Sequence, residues 1–159
     1  MSISLQVHLG EHDSTYRADG MEHTLPVGSA TLAGLLTTDP PAAEDLTNAI
    51  GLLADHLEDV VREVPAASRA DEVVVSGPGI ATLAAVEVGG ATALPFALGK
   101  AAAEEVFRTL ATECAADRRH NPGLPAAEVE SVLGVCCAVV ALLRRLDRQQ
   151  VTLAPEQGV

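Results

Sequence analysis

The chain has 159 residues, 22 of them acidic and 10 basic, for a formal charge of −12 at neutral pH, and 48% are hydrophobic. That length suits one domain with a sizeable core, and the apolar share excludes a disordered chain. The charge repels nucleic acid unless a local basic patch overcomes it, and Tyr16, Phe96 and Phe107 are the only rings for bases to stack on.

In chain order, ISLQVHLG (3–10) alternates apolar and polar residues like a half-buried strand. STYRA (14–18) and EHTLPV (22–27) follow, with Asp19-Gly20 as the turn between them, which makes an antiparallel meander. Gly28-Ser29 opens a short helix with Leu32, Leu35 and Leu36 inward. Asp39-Pro40-Pro41 predicts the start of a longer one, with Asp39 as the cap and Pro40 where a missing N–H does no harm. Leu46, Ala49, Ile50, Leu53, Leu57, Val60, Val61 and Val64 then recur at helical spacing. DEVVVSG (71–77) reads as a central strand covered on both faces. A helix from Gly79 to Val88 follows, and GGATALPF (89–96) reads as a loop. Ala101–Ala116 is an amphipathic helix with Val106, Phe107, Leu110 and Cys114 inward, ended by NPGLP (121–125). Ala126–Asp147 is the last helix and QQVTLAP (149–155) the last strand.

Within that last helix VLGVCCAVVALL (132–143) is the longest uncharged run. It is far short of the roughly 20 residues a membrane span needs, so it predicts a buried helix. Cys114, Cys136 and Cys137 lack metal-ligand spacing and lie in apolar runs, as small core residues of a reducing cytoplasm do. No basic segment leading into an apolar one opens the chain, so a secretory leader is not expected. Arg118–Arg119–His120 and Arg144–Arg145 with Arg148 are the dense basic clusters; the second has the place of a solvated helix end.

Three antiparallel strands, helices, strand, helices, strand is the order of a ribonuclease-H-like mixed α/β sheet, the actin-like ATPase half, with crossover helices between its parallel strands. A single such domain is expected over residues 1–159. Particular segments go further. LPVGSATL (25–32) is similar to an LPxGxxRL segment, and DPPAAEDL (39–46) to the opening of the helix after it. VVVSGPGIATLAAV (73–86) resembles a strand followed by GxxGTxTTLAA. NPGLPAAEVESVLGVCCAVVALLRRL (121–146) resembles a PGLxxxRADVIxAG helix, and VTLAPEQGV (151–159) the strand after it. Together these resemble the second half of the exopolyphosphatase / guanosine-pentaphosphate phosphohydrolase family over almost the whole chain.

The resemblance implies two phosphate-cradling loops, an acidic residue that organises metal and water, and a cleft whose other wall is a first actin-like domain, which these residues do not encode. Against the family's DxGGGSTE turn, VHLGEHDSTY (7–16) keeps Gly10 but has His8 for Asp, and Glu11 and His12 for two glycines. A carboxylate in a phosphate cradle repels its ligand, and non-glycine residues resist the positive φ such a nest needs. In the second loop Gly79 replaces a threonine and Pro78 removes an amide donor, while Thr82 and Leu83 remain. Glu128 stands where the family has arginine, and Thr31 where LPxGxxRL has its arginine.

Every one of these changes weakens anion binding. The expected function is therefore a non-catalytic relic of the phosphatase domain serving as a protein-interaction or regulatory module. The alternative is a domain that binds phosphate, polyphosphate or guanosine tetraphosphate, or a divergent phosphatase. No catalytic residue is assigned. Residual anion binding is assigned to Gly77, Gly79 and Thr82, with Gly10 and Ser14 in the first loop. No metal site is expected: His8, His12 and Asp13 are irregularly spaced and nothing distant completes a ligand shell. Magnesium enters only with residual hydrolysis. A homodimer or a protein partner is expected, because the apolar face of helix 126–147 is wider than one core-facing stripe, although neighbouring helices of the same domain are an equal claimant for it. A membrane or nucleic-acid partner is not expected.

Overall fold

A computed structural model describes residues 2–156, so the end of the segment 151–159, residues 157–159, lies outside the described part. The meander forms as expected: β1 (Ser4–Leu9), β2 (Ser14–Ala18) and β3 (Met21–Leu25). Then come α1 (Ser29–Ala33), α2 (Ala43–Glu63), β4 (Glu72–Ser76), α3 (Ile80–Val88), β5 (Phe96–Gly99), α4 (Lys100–Thr112), α5 (Ala115–Arg118), α6 (Ser131–Arg145) and β6 (Gln150–Leu153). Short 3-10 turns occupy Pro65–Arg69 and Ala126–Glu128.

The six strands lie in the order β3-β2-β1-β4-β6-β5. β1 pairs antiparallel with β2 and β2 with β3, whereas β1–β4 and β4–β6 are parallel. This is the expected ribonuclease-H-like mixed sheet. The four-residue strand β5 was not expected: Phe96–Gly99 pairs antiparallel with β6 at the sheet edge. Four residues are too few to carry a period, so this strand exists through its tertiary pairing.

A second expectation fails at β4. Register puts Leu5, Val7, Val73, Val75, Val151 and Leu153 on one face, all buried. On the other face Gln6 and His8 are exposed and Val74, Ser76 and Thr152 half-exposed. The sheet is covered on one face only, and the middle valine of β4 lies on the open one.

The covering layer centres on α6, which is buried on every side from Val132 to Leu143. Gly134 lets α1 approach, since a Cβ there would strike the Ser29 carbonyl. The apolar excess of this helix is thus covered by the domain's own helices, and α6 is not the docking surface that its width suggested. Among the described residues Met21, Leu35 and Val88 are the large apolar side chains left exposed. Leu35 was expected inward, but α1 ends at Ala33 and leaves it outside.

Asp39 does not cap α2, whose N-cap is Ala42. Its carboxylate instead accepts the Ala115 N–H at 2.8 Å, at the start of α5. The helix expected over 101–116 breaks at Glu113 and Cys114, both extended. Arg118 stabilises that break, because its guanidinium donates to the carbonyls of Leu110, Glu113 and Val129. Val129 lies in a second break, between the turn 126–128 and α6, where one continuous helix was expected.

Candidate functional site

Two loops lie side by side at the C-terminal ends of the parallel strands β1 and β4, the edge where open α/β sheets bind ligands. The first joins β1 to β2. Its Gly10 N–H donates to the Asp13 carbonyl at 2.9 Å. Its own carbonyls face α1: Gly10 O accepts the Ser29 N–H at 2.9 Å, and Glu11 O accepts Ala30 N–H at 2.8 Å and Thr31 N–H at 3.3 Å. Those are the first three amides of α1, the groups that would otherwise be offered to an anion. Gly28 seals the contact, since a Cβ there would run into the backbone of Gly10 and Glu11.

Ser14 is not in this loop's mouth. It is fully buried, with Oγ shared between the Val27 carbonyl at 2.8 Å and the Tyr16 hydroxyl at 3.0 Å. Burial pushes the Tyr16 phenol up to about 12, with the Ser14 hydrogen bond pulling it back in part.

The second loop joins β4 to α3. Gly77 has φ +130°, and a Cβ on it would strike the Leu9 carbonyl of β1. Gly79 has φ +86°, and a Cβ on it would lie 2.8 Å from a Val135 methyl of α6. Backbone conformation and packing require both glycines whether or not a ligand binds. Ile80 N–H reaches the Gly77 carbonyl at 3.2 Å and Leu83 N–H the Gly79 carbonyl at 3.0 Å. Among the described residues the two amides between them, Ala81 and Thr82, have no acceptor.

Thr82, nearly buried, donates its hydroxyl to Glu128 Oε1 at 2.8 Å. A carboxylate of the chain itself therefore occupies the first turn of α3, where the helix dipole favours negative charge. Sequence reasoning noted the charge at Glu128 without foreseeing this contact; an acid in place of a base beside a retained threonine was the available signal.

His8 and Ser76 are register partners on the open sheet face. His8 Nε2 lies 3.3 Å from Glu156 Oε1, and both side chains are about half exposed. Together with Thr15 and Arg17 they line a shallow depression of about 780 Å³. His12 and Asp13 are exposed in the first loop, and among the described residues no three His, Cys, Asp or Glu side chains converge on one point. These residues do not fit magnesium, which demands near-octahedral oxygen ligands, because an imidazole has the place of the expected acid.

Four arginines of the two basic clusters are engaged within the domain. Arg144 pairs with Glu104 at 2.6 Å, Arg145 with Glu58 at 2.7 Å, and Arg148 donates to the Ala70 and Asp71 carbonyls. The hydrogen bonds from Arg144 and Arg145 hold the Glu104 and Glu58 carboxyls below their ordinary range. Arg118 is 2% exposed. Among the described residues no helix is long and apolar enough to cross a membrane.

No protein-family model and no curated protein matches the chain in sequence. Solved structures do match in shape. An exopolyphosphatase-like protein superposes with a TM-score of 0.88 at 17% identity, over 97% of this chain and 55% of that one. The fold is that of one actin-like half of a Ppx/GppA phosphatase. The type II variant of the Aquifex aeolicus Ppx/GppA phosphatase matches with a TM-score of 0.80 at 17% identity, over 97% of this chain and 53% of its own. An exopolyphosphatase from Cytophaga hutchinsonii matches with 0.73 at 15%, over the same shares. The chain thus spans about half the length of the structures it resembles.

Proposed function

We propose that the chain is a non-hydrolytic relic of an exopolyphosphatase-type domain that acts as a protein-interaction or regulatory module. The observation that carries this reading is the Thr82–Glu128 hydrogen bond. The one retained hydroxyl of the second phosphate loop is held by an internal carboxylate, which opposes an incoming phosphate. The first loop supports it, because its carbonyls consume the first amides of α1. The module offers a partner its open sheet face and a charge of −12, so the partner carries a basic surface and the contact weakens with salt.

The test is phosphate release from polyphosphate and from guanosine pentaphosphate with magnesium. The expected result is release no faster than in buffer alone. Release that depends on the protein and disappears in Thr82→Val overturns the reading. A second reading, weak binding of phosphate or a nucleotide at Gly77, Gly79 and Thr82, is favoured by the free amides of Ala81 and Thr82.

A further inference from the structure

The sheet ends in β3 on one side and in β5 on the other, and the two edges are built differently. β3 follows the Asp19-Gly20 turn and carries Glu22 and His23. Charge is a usual means of keeping an edge strand from pairing with another chain. β5 lacks it: Phe96-Ala97-Leu98-Gly99 is uncharged, and so is the whole stretch from Val88 to Gly99. In a chain of net charge −12, this is a stretch where two copies meet without opposed carboxylates.

Register says which backbone groups of β5 are free. Lys100 N–H donates to the Gln149 carbonyl at 2.8 Å, in the same register as the pairs Leu98–Val151 and Phe96–Leu153. Bonding alternates along an antiparallel pair, so Phe96, Leu98 and Lys100 face β6 and its flank. The N–H and C=O groups of Ala97 and Gly99 therefore point away from the sheet, and β5 has no strand beyond it. Side chains leave the approach open, since Ala97 is exposed and presents only a methyl, and Gly99 presents nothing. Pro95 precedes the strand and confines the free edge to these residues.

We propose that a second copy of this chain pairs here, β5 against β5, antiparallel about a two-fold axis at Leu98. Ala97 then exchanges both backbone bonds with Gly99 of the second copy, and Gly99 with its Ala97, the reciprocal contact that a two-fold axis demands. The two six-stranded sheets become continuous. A basic partner is not the occupant, because this edge carries no acid to attract one. The contact is at the small end of specific interfaces and leaves both loops and the open sheet face free. The proposal is independent of the partner argued above: that contact weakens with salt, whereas this one joins two like-charged bodies through neutral surface, so salt strengthens it.

Sedimentation equilibrium of the whole chain tests it, from about 1 μM to about 1 mM. A reversible monomer–dimer equilibrium is expected, with a Kd of about 10–100 μM that tightens several-fold between about 0.05 and about 0.5 M salt. Ala97→Glu sets two carboxylates near the axis and is expected to raise Kd at least about tenfold. Thr24→Glu makes the same charge change at the exposed β3 edge and is expected to move Kd less than about twofold, which separates the edge from general repulsion. Circular dichroism confirms that both fold. In the wild-type chain, hydrogen exchange at the Ala97 and Gly99 amides is expected to slow as concentration rises, a readout that needs no variant. A chain still monomeric at about 1 mM overturns the proposal. So does a dimer that a folded Ala97→Glu leaves unchanged, or one in which those two amides exchange as fast as in the monomer. A monomeric chain that binds a synthetic peptide of residues 93–99 takes a foreign strand at this edge, which also overturns it.

Discussion

The two loops at the strand ends have the same place relative to their strands, yet they are closed by different means. The loop after β1 is closed by backbone: its carbonyls take the first amides of α1, and Gly28 locks the two together. The loop after β4 keeps two free amides and is opposed by one side chain, Glu128. Backbone closure involves several coupled bonds and no single substitution reverses it. Side-chain closure is one residue deep. The first loop is therefore tied into the fold by its backbone, while the second keeps the amides of Ala81 and Thr82 unbonded among the described residues beside one carboxylate.

The largest test of this contrast is Gly77→Val. It forces a β-branched residue to φ +130° and drives Cβ into the Leu9 carbonyl, where the loops meet. The expected loss is about 4 kcal/mol in urea unfolding, at the upper end for one substitution. A loss below about 1 kcal/mol would mean that the loops are not packed on each other.

Next comes pH. Tyr16, the only tyrosine, is buried in β2 with its pKa raised from 10.0 to about 12. A raised folded-state pKa means this stability is fully present below pH 10 and is lost as pH rises through about 12. About 3 kcal/mol should go across that window. Phenolate absorbance should rise together with unfolding, and Tyr16→Phe should flatten the alkaline loss. A tyrosine that ionises near pH 10 in the folded protein contradicts the buried Ser14–Tyr16 pair.

The smallest effect is Thr82→Val. It removes one charge-assisted hydrogen bond, so about 1–2 kcal/mol is expected by chemical denaturation. The folded protein should keep its far-ultraviolet spectrum.

Much of the fold was legible from the sequence because periodic segments carry it. The alternation in 3–10 gave β1, and the recurrence from Leu46 to Val64 gave α2. β5 was illegible because four residues hold no period. The open face of β4 was missed because EVVVS reads as apolar throughout, and only its register separates Val73 and Val75 from Val74. At the site, glycine positions and charge changes were legible as types. The bonds between them were not: Ser29 N–H to Gly10 O spans 19 residues and Thr82 to Glu128 spans 46. Ser14 looked like a loop hydroxyl and proved to be a core one, because the residue after the turn is the first inward position of β2.

Amide chemical-shift titration with inorganic phosphate, on the wild-type chain and on Glu128→Gln, tests the contrast most directly. The wild type should show little change at millimolar phosphate. In Glu128→Gln the amides of Ala81 and Thr82 should shift and saturate about tenfold more readily, the expected gain from removing one opposing charge. Ser29, Ala30 and Thr31 should stay still in both. Saturable shifts at Gly10–Ser14 or at those α1 amides in the wild-type chain would contradict the account.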